Sequence, residues 1–165
     1  MYITGIIPDN VRTSAQGPEF TVGTIGWNST SAGPKGYVYV QDSGSGLTGD
    51  GYVCDIDGSA FTAVMSTTTT TAPGTGAGKL VGVARAAVAA SGYGWLQIFG
   101  AGTVRVAALA AAYTLLNSTA TAGQIDDDAT AGAEVIDGIV LDVANGGAAG
   151  TAAGWLNWPK VGRTL

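Results

Sequence analysis

The segment GTGAGKL, residues 74–80, has the composition of a phosphate-binding loop. Such a loop carries a glycine five positions before its Gly-Lys pair, and a serine or threonine after the lysine to hold Mg²⁺. Here those two positions are Pro73, which has no N–H to donate, and Leu80. The segment therefore predicts a flexible turn that feeds a strand beginning near Lys79, and it does not predict a nucleotide site.

Two acidic segments have the residue types of calcium ligands, which are hard oxygens. The triplet DDD at 126–128 is contiguous, and adjacent side chains of a strand point to opposite faces, so its carboxylates are not expected to converge. The segment DIDG at 55–58 begins like a calcium loop, but Ser66 stands where the closing glutamate would be. We expect a solvated turn at 126–128, a β-turn at 55–58 and no metal site.

Nucleophilic catalysis would need a base, and the chain contains no histidine. Ser-His-Asp and Cys-His arrangements are therefore excluded. The single cysteine, Cys54, lies in an apolar run, where a thiol is usually inert. A serine–lysine pair or a pair of aspartates stays open, but no spacing in the chain favours any particular pair. We expect that the protein is not an enzyme and that it uses no cofactor.

Charged residues make up 12% of the chain, and the net charge is −5 with an isoelectric point near 4.3. An acidic chain lacks the basic stripe that supplies most of the affinity for nucleic acid, so we expect no such partner. So few charges do little to discourage association, which favours a surface covered by other subunits. The start MYITGIIPDN lacks a cationic segment, and the apolar run at 106–116 is too short for a bilayer; we expect neither a signal peptide nor a membrane anchor.

Short β-favouring runs separated by turn residues recur along the chain. In YVYVQ and TVRVA, apolar and polar positions alternate as in a half-buried strand. The spacing predicts an all-β fold, an antiparallel β-sandwich or barrel. The runs are FTVGTI (20–25), GYVYVQ (36–41), GYVCDI (51–56), AFTAVM (60–65), KLVGVA (79–84), YGWLQIF (93–99), TVRVAA (103–108), YTLLNS (113–118), EVIDGIVL (134–141) and GWLNW (154–158).

The two halves of the chain share a degenerate pattern. From it we predict a duplication in which residues 36–99 are repeated as 102–158. The Ala-rich stretch 106–116 then matches a strand-turn-strand segment, which disfavours a helix there. Trp95 and Trp155 occupy matching positions, so both are predicted to lie in the core. The aligned segments are GAGKLVGVA (76–84) with GAEVIDGIV (132–140), and GWLQI (94–98) with GWLNW (154–158).

The remaining segments lie outside the repeat. Residues 1–19 are predicted to form an extended N-terminal arm, followed by a single β-domain at 20–165. The arm carries an apolar patch, ended by Pro8, that either closes the barrel or reaches a neighbouring subunit. The hydroxyl run STTTTT at 66–71 predicts an exposed loop. The candidate subunit contacts are Tyr2, Ile3, Ile6 and Ile7 of the arm, and Trp27 in a loop-like segment.

The chain resembles a family of small virion proteins of tailed bacteriophages, the head decoration or cement proteins. The segments that carry the resemblance are YVYVQ, GYGWLQIFG, VRVAALAAA, AGQIDD, IDGIVL, ANGGAAGTA and PKVGR, from about Phe20 to Arg163. The resemblance implies a β-rich structural subunit, usually oligomeric and often trimeric, made in the bacterial host cytoplasm. It would lie on the outer surface of the capsid head, bound to the major capsid protein. The family has no short binding motif, so no contact residue is transferred from it.

From the sequence we expect a non-enzymatic virion protein that stabilises the capsid, with the arm and Trp27 as its candidate contacts. Deleting residues 1–8 is then expected to leave the fold intact and to weaken shell binding. The alternative is a carbohydrate-binding or adhesive β-domain on a phage or cell surface, which would use exposed tryptophans. A hydrolase that uses aspartates would need a cleft, which the sequence does not predict.

Overall fold

The computed structural model describes residues 2–164, which form eleven strands in one sheet. This confirms the predicted all-β class, and the Ala-rich stretch 106–116 is not helical. No helix long and apolar enough to cross a membrane occurs in the described part of the chain. The strands are β1 Tyr2–Thr4, β2 Ile25–Thr30, β3 Gly33–Asp42, β4 Val53–Ile56, β5 Thr62–Met65, β6 Leu80–Ala84, β7 Tyr93–Val106, β8 Asn117–Ser118, β9 Ile125–Asp126, β10 Glu134–Leu141 and β11 Gly150–Thr164.

Strand pairing closes the sheet into two rings that share the long strand β7. In the first ring β7 pairs with β3 and β6, and β5 and β4 complete the circuit between them. In the second ring β7 pairs with β11 and β9, and β10 and β8 complete the circuit. The fold is therefore barrel-like, as predicted. The sheet is mixed, because β3 runs parallel to β5 and β7 runs parallel to β9.

The order of pairings in the first ring recurs in the second. The set β3, β4, β5, β6 and the start of β7 corresponds to the end of β7, β8, β9, β10 and β11. This is the pattern expected if residues 36–99 are repeated as 102–158. The register of strand pairing differs between the two rings: Trp95 pairs with Tyr39 in the first ring, whereas Trp155 pairs with Ala101 in the second. Trp95 is 2% exposed, but Trp155 lies on the outer face of β11 and is 39% exposed, so its predicted burial is wrong.

Each ring encloses an apolar core, and β4 and β6 form the wall between the two cores. Cys54 and Ile56 of β4 belong to the first core, whereas Val53 belongs to the second. On β6, Ala84 belongs to the first core and Val81 to the second. Because successive side chains of a strand point to opposite faces, a strand between two cores is apolar on both. This explains why Val53, Cys54 and Ile56 of β4 are buried.

The N-terminal segment packs on its own domain. β1 pairs in parallel with β2, and Ile6 is buried against Tyr39 and Trp95 on the outer face of β3 and β7. Gly26 permits this approach, since a Cβ there would lie 2.8 Å from Ile6 Cγ2 and 2.9 Å from the Trp95 ring. The prediction that YVYVQ is half-buried is wrong for the same reason, because this segment covers the outer face of β3. The arm closes neither ring, because β1 pairs only with β2 at the edge of the sheet. Contact of the arm with a neighbouring subunit stays a prediction.

Packing of the N-terminal segment predicts unequal effects of two adjacent substitutions. Ile6→Ala should lower the free energy of unfolding by roughly 2–5 kcal/mol, because it leaves a cavity over Trp95. The matched control is Ile7→Ala, whose side chain is 68% exposed and whose effect should stay within about 0.5 kcal/mol. Denaturant unfolding followed by tryptophan fluorescence measures both. Equal midpoints for the two variants would show that the segment does not contribute to stability. Deletion of residues 1–8 would then leave the fold intact, as expected from the sequence.

Candidate functional site

The side chains considered for catalysis or metal binding do not come together. Cys54 is fully buried, and burial, with the nearby Asp55 and Asp42 carboxylates, raises the pKa of its thiol far above the usual range. A buried thiol that resists ionisation is a poor nucleophile, as the sequence predicted. Among residues 2–164, no group of three His, Cys, Asp or Glu side chains is placed to hold a metal ion. The carboxylates at 126–128 form no such group either.

The segment GTGAGKL uses its amides internally and offers no cradle for phosphate. The N–H groups of Thr75 and Gly76 both donate to the carbonyl of Ala72, at 2.9 and 2.8 Å. Gly78 N–H donates to the carbonyl of Val161 at 2.9 Å, and Lys79 N–H donates to Gly76. The segment is a series of turns that leads into β6, as predicted.

The hydroxyl run at 66–71 surrounds a buried carboxylate. Asp55 is 1% exposed, and its two carboxylate oxygens accept hydrogen bonds of 2.5 Å from the hydroxyls of Ser66 and Thr70. Thr70 is fixed by the N–H of Thr67, which donates to its hydroxyl at 2.8 Å. A buried carboxylate needs such donors. The prediction of an exposed loop at 66–71 is therefore wrong, and the signal that it missed was an aspartate inside the apolar run GYVCDI.

A second set of polar contacts joins the hydroxyl run to the other half of the chain. The Thr71 and Ser118 hydroxyls lie 2.9 Å apart, and the N–H of Glu134 donates to Ser118 at 3.0 Å. The carboxylate of Glu134 in turn accepts a hydrogen bond of 2.9 Å from Thr164. Thr71, Ser118 and Glu134 are all buried. These contacts connect β8, β10 and β11 to the loop after β5, which is a structural role for the threonines.

The feature of the surface best suited to binding is a row of aromatic side chains across the outer face of the sheet. Trp27 on β2 contacts Phe99 on β7 with ring centroids 5.6 Å apart, and Phe99 contacts Trp155 on β11 at 5.5 Å. Both contacts are edge-to-face, which is a favoured arrangement of aromatic rings. Val140 on β10 pairs with Trp155 and is 41% exposed. We call these four residues the aromatic stripe.

The strands hold the aromatic stripe rigidly. Gly36 on β3 lies between Trp27 and Phe99, and a Cβ there would come within 3.2 Å of the Trp27 ring and 3.1 Å of Phe99. The glycine therefore lets the two rings meet across an intervening strand. On β11 the exposed positions alternate with buried ones, which turns Trp155 outward. Rigid aromatic side chains with an apolar body and a polar N–H are typical anchors of protein interfaces.

The structure places the predicted contact residues in different surroundings. The side chain of Tyr2 lies outside the described residues. Ile3 and Ile6 pack against the aromatic cluster of the same chain; Ile6 is buried there, whereas Ile3 is half-buried and its contact role stays a prediction. Ile7 is exposed, and Trp27 is half-buried within the aromatic stripe; for these two a contact role stays a prediction. Sequence reasoning assigned Trp155 to the core and missed Phe99, because strand register decides which rings become neighbours.

Comparison of the chain with models of known protein families and with curated proteins found no match. A function for this chain therefore has to be argued from its own surface. The aromatic stripe is the feature on which the following proposal depends.

Titration of Asp55 predicts a pH effect of definite sign. Burial raises the pKa of this carboxyl, in opposition to the hydrogen bonds from Ser66 and Thr70 and to the charge of Lys79. Its contribution to stability is therefore fully present below the pKa of the unfolded carboxyl, roughly 3.9, and is lost as pH rises through the folded pKa. Asp55→Asn should remove this dependence. Urea unfolding across a series of pH values measures the difference between variant and parent.

The control for that titration is Asp57→Asn. Hydrogen bonds from Ser59 and the N–H of Ala60 lower the pKa of the exposed Asp57 carboxyl. Its contribution is present above the unfolded pKa and is lost as pH falls through the folded pKa, the opposite sign to Asp55. If the two variants show parallel pH profiles, the assignment of the effect to Asp55 is wrong.

Proposed function

We propose that this protein is a structural virion protein that decorates and stabilises the outside of a tailed-phage capsid by binding the major capsid protein. The observation that carries the proposal is the aromatic stripe, in which the exposed Trp155 and Val140 adjoin the half-buried Trp27 and Phe99. The resemblance of the chain to phage head decoration proteins supplies the partner. In this proposal the protein is not an enzyme and uses no cofactor, nucleic acid or membrane.

Stabilising a shell requires binding energy and no chemistry. A protein that binds the assembled lattice, and binds free capsid subunits less well, shifts the equilibrium towards the closed shell. Attachment as a symmetric homo-oligomer, with a trimer as the expected form, would raise the effective affinity by roughly 10²–10⁴ over one contact. The low charge of the chain fits a surface that is covered by partners. The protein would be made in the host cytoplasm and would end on the outer surface of the head.

Within the aromatic stripe, Trp155 is the expected anchor. Its ring is exposed but held from one side by Phe99, so little conformational entropy is lost when a partner covers it. Exposed Ala153 and Asn157 flank it on the same face of β11 and would form the rim of the contact.

Substitution of Trp155 tests the proposal. Trp155→Ala should weaken binding to assembled, undecorated phage shells by roughly thirtyfold or more, as expected for removal of a central aromatic anchor. The matched control is Trp158→Ala, on the same strand, with 41% exposure and no aromatic neighbour in the described part of the chain. Co-sedimentation with shells gives both affinities, with unassembled capsid protein as the negative control. Absence of saturable pelleting of the parent protein would reject the proposal.

The second candidate is a carbohydrate-binding or adhesive domain on a phage or cell surface. The observation that favours it is the same exposed Trp155 ring, because a flat aromatic face beside an amide such as that of Asn157 also suits a sugar. Host polysaccharide would then quench the fluorescence of the parent protein and quench Trp155→Ala less. A flat titration, together with pelleting on shells, would leave capsid decoration as the function.

A further inference from the structure

Two cations of this acidic chain, Lys160 and Arg163, lie beside the same surface groove. Seven lysines and arginines stand against twelve carboxylates. Within residues 2–164 the only ion pair joins Arg85 to Asp50, with 3.1 Å between nitrogen and oxygen. Lys160 and Arg163 instead lie at one end of the second ring, beside the backbone of Lys79, whose carbonyl accepts a hydrogen bond of 2.9 Å from the N–H of Val161. The charge of Lys79 itself acts on Asp55 and Asp57. No carboxylate in the described residues lies within ion-pair distance of these three cations.

Lys160 and Arg163 border a surface groove of about 440 Å³ between the turn at Gly78 and the paired ends of β10 and β11. We call it the cation groove; its walls include Leu115, Val135, Asp137, Lys160 and Arg163. Lys160 and Arg163 are exposed, and Leu115, a large aliphatic side chain, is 57% exposed. The groove therefore offers apolar contact and an excess of positive charge over the single carboxylate of Asp137. The ligand that such a surface fits is an acidic chain segment with small neighbouring side chains.

The chain itself carries a segment of this kind, the turn at 126–128. Among the described residues no cation lies within ion-pair distance of its three consecutive carboxylates, and Asp128 is exposed. Asp127 N–H donates to the Asp126 carboxylate at 2.9 Å, which holds the backbone where β9 ends, and Asp128 is exposed beyond it. The residues that follow, ATAG at 129–132, are small and exposed, so the turn can enter a groove without a steric obstacle.

We propose that the acidic turn at 126–128 of a second copy of this chain docks in the cation groove. The reason is charge complementarity within one sequence, since the only run of three acidic residues and the two cations of the groove have no ion-pair partner in the described residues. The inference rests on the self-association included in the proposed function and specifies the surfaces that produce it. Joining two different surfaces gives a head-to-tail contact, which closes into a ring when the rotation between copies permits.

Charge reversal on both sides of the contact tests the inference in the full-length protein. Arg163→Glu and Asp128→Arg should each raise the dissociation constant for self-association at least about fivefold, because each places like charges together. The double variant Arg163→Glu/Asp128→Arg should restore association, since it exchanges the two signs. Both side chains are exposed, so neither substitution threatens folding. Sedimentation equilibrium at low and moderate salt measures the constants, and salt should weaken association of the parent protein.

The matched control is Lys35→Glu, which makes the same change in net charge on β3, outside the cation groove. It should leave the dissociation constant within about twofold of the parent value, because long-range repulsion is screened. Failure of the double variant to regain association would overturn the inference. So would a parent protein that stays monomeric at low salt and about 100 µM, well above the concentration at which specific interfaces form. If the parent protein is monomeric but still pellets with shells, the proposed capsid binding stands and only this contact is rejected. If Arg163→Glu no longer pellets with shells, the groove binds an acidic segment of the capsid protein instead.

Discussion

The sharing of strand β7 by both rings is the constraint on which the rest of the structure depends. Leu96 and Ile98 of β7 fill the first core, and Val104 and Val106 fill the second. Because β7 is a strand of both rings, it fixes the position of one ring relative to the other. The buried amide nitrogen of Gln97 lies 3.0–3.2 Å from the carbonyl oxygens of residues 99–101, among which its two N–H groups are shared, and it fixes the backbone where β7 passes from one ring to the next. A polar side chain in this position is tolerated because it satisfies carbonyls that would otherwise be buried without a donor.

The same strand determines which aromatic side chains are available for binding. Trp95 lies at its start, beneath Ile6 and Phe20, with its ring 5.3 Å from that of Phe20. Phe99 lies four residues further along β7, beyond the part of the face that the N-terminal segment covers, and it contacts the exposed Trp155. The N-terminal segment covers the face around Trp95 but not the face around Trp155. The apolar surface left open is therefore limited in extent, which suits specific binding better than a fully exposed sheet. Capsid decoration and sugar binding would both use this boundary.

The polar interior of the protein ties together parts of the chain that are far apart in sequence. Asp55 on β4 is held by hydroxyls of the following loop, and Thr71 of that loop reaches Ser118 on β8. Hydrogen bonds to buried charged groups contribute more than neutral ones, and loss of a single partner is costly. The network therefore favours one relative arrangement of the two halves. The surface, by contrast, has few ion pairs, so its charges are left for contacts with other molecules.

The sequence by itself determined the fold class and much of the strand inventory. Period-two runs predicted all-β structure, EVIDGIVL (134–141) matched β10 from end to end, and the paired segments anticipated the recurrence of strand order. The absence of histidine already excluded several catalytic arrangements, since that conclusion depends only on side-chain chemistry. What the tertiary structure decided was burial and neighbourhood. Local pattern cannot specify what lies over a strand: Ile6 and Phe20 of the N-terminal segment pack over Trp95, whereas Trp155 stays 39% exposed. The aromatic stripe and the hydroxyl groups around Asp55 arise from long-range register, which depends on how the whole sheet closes and not on any one segment.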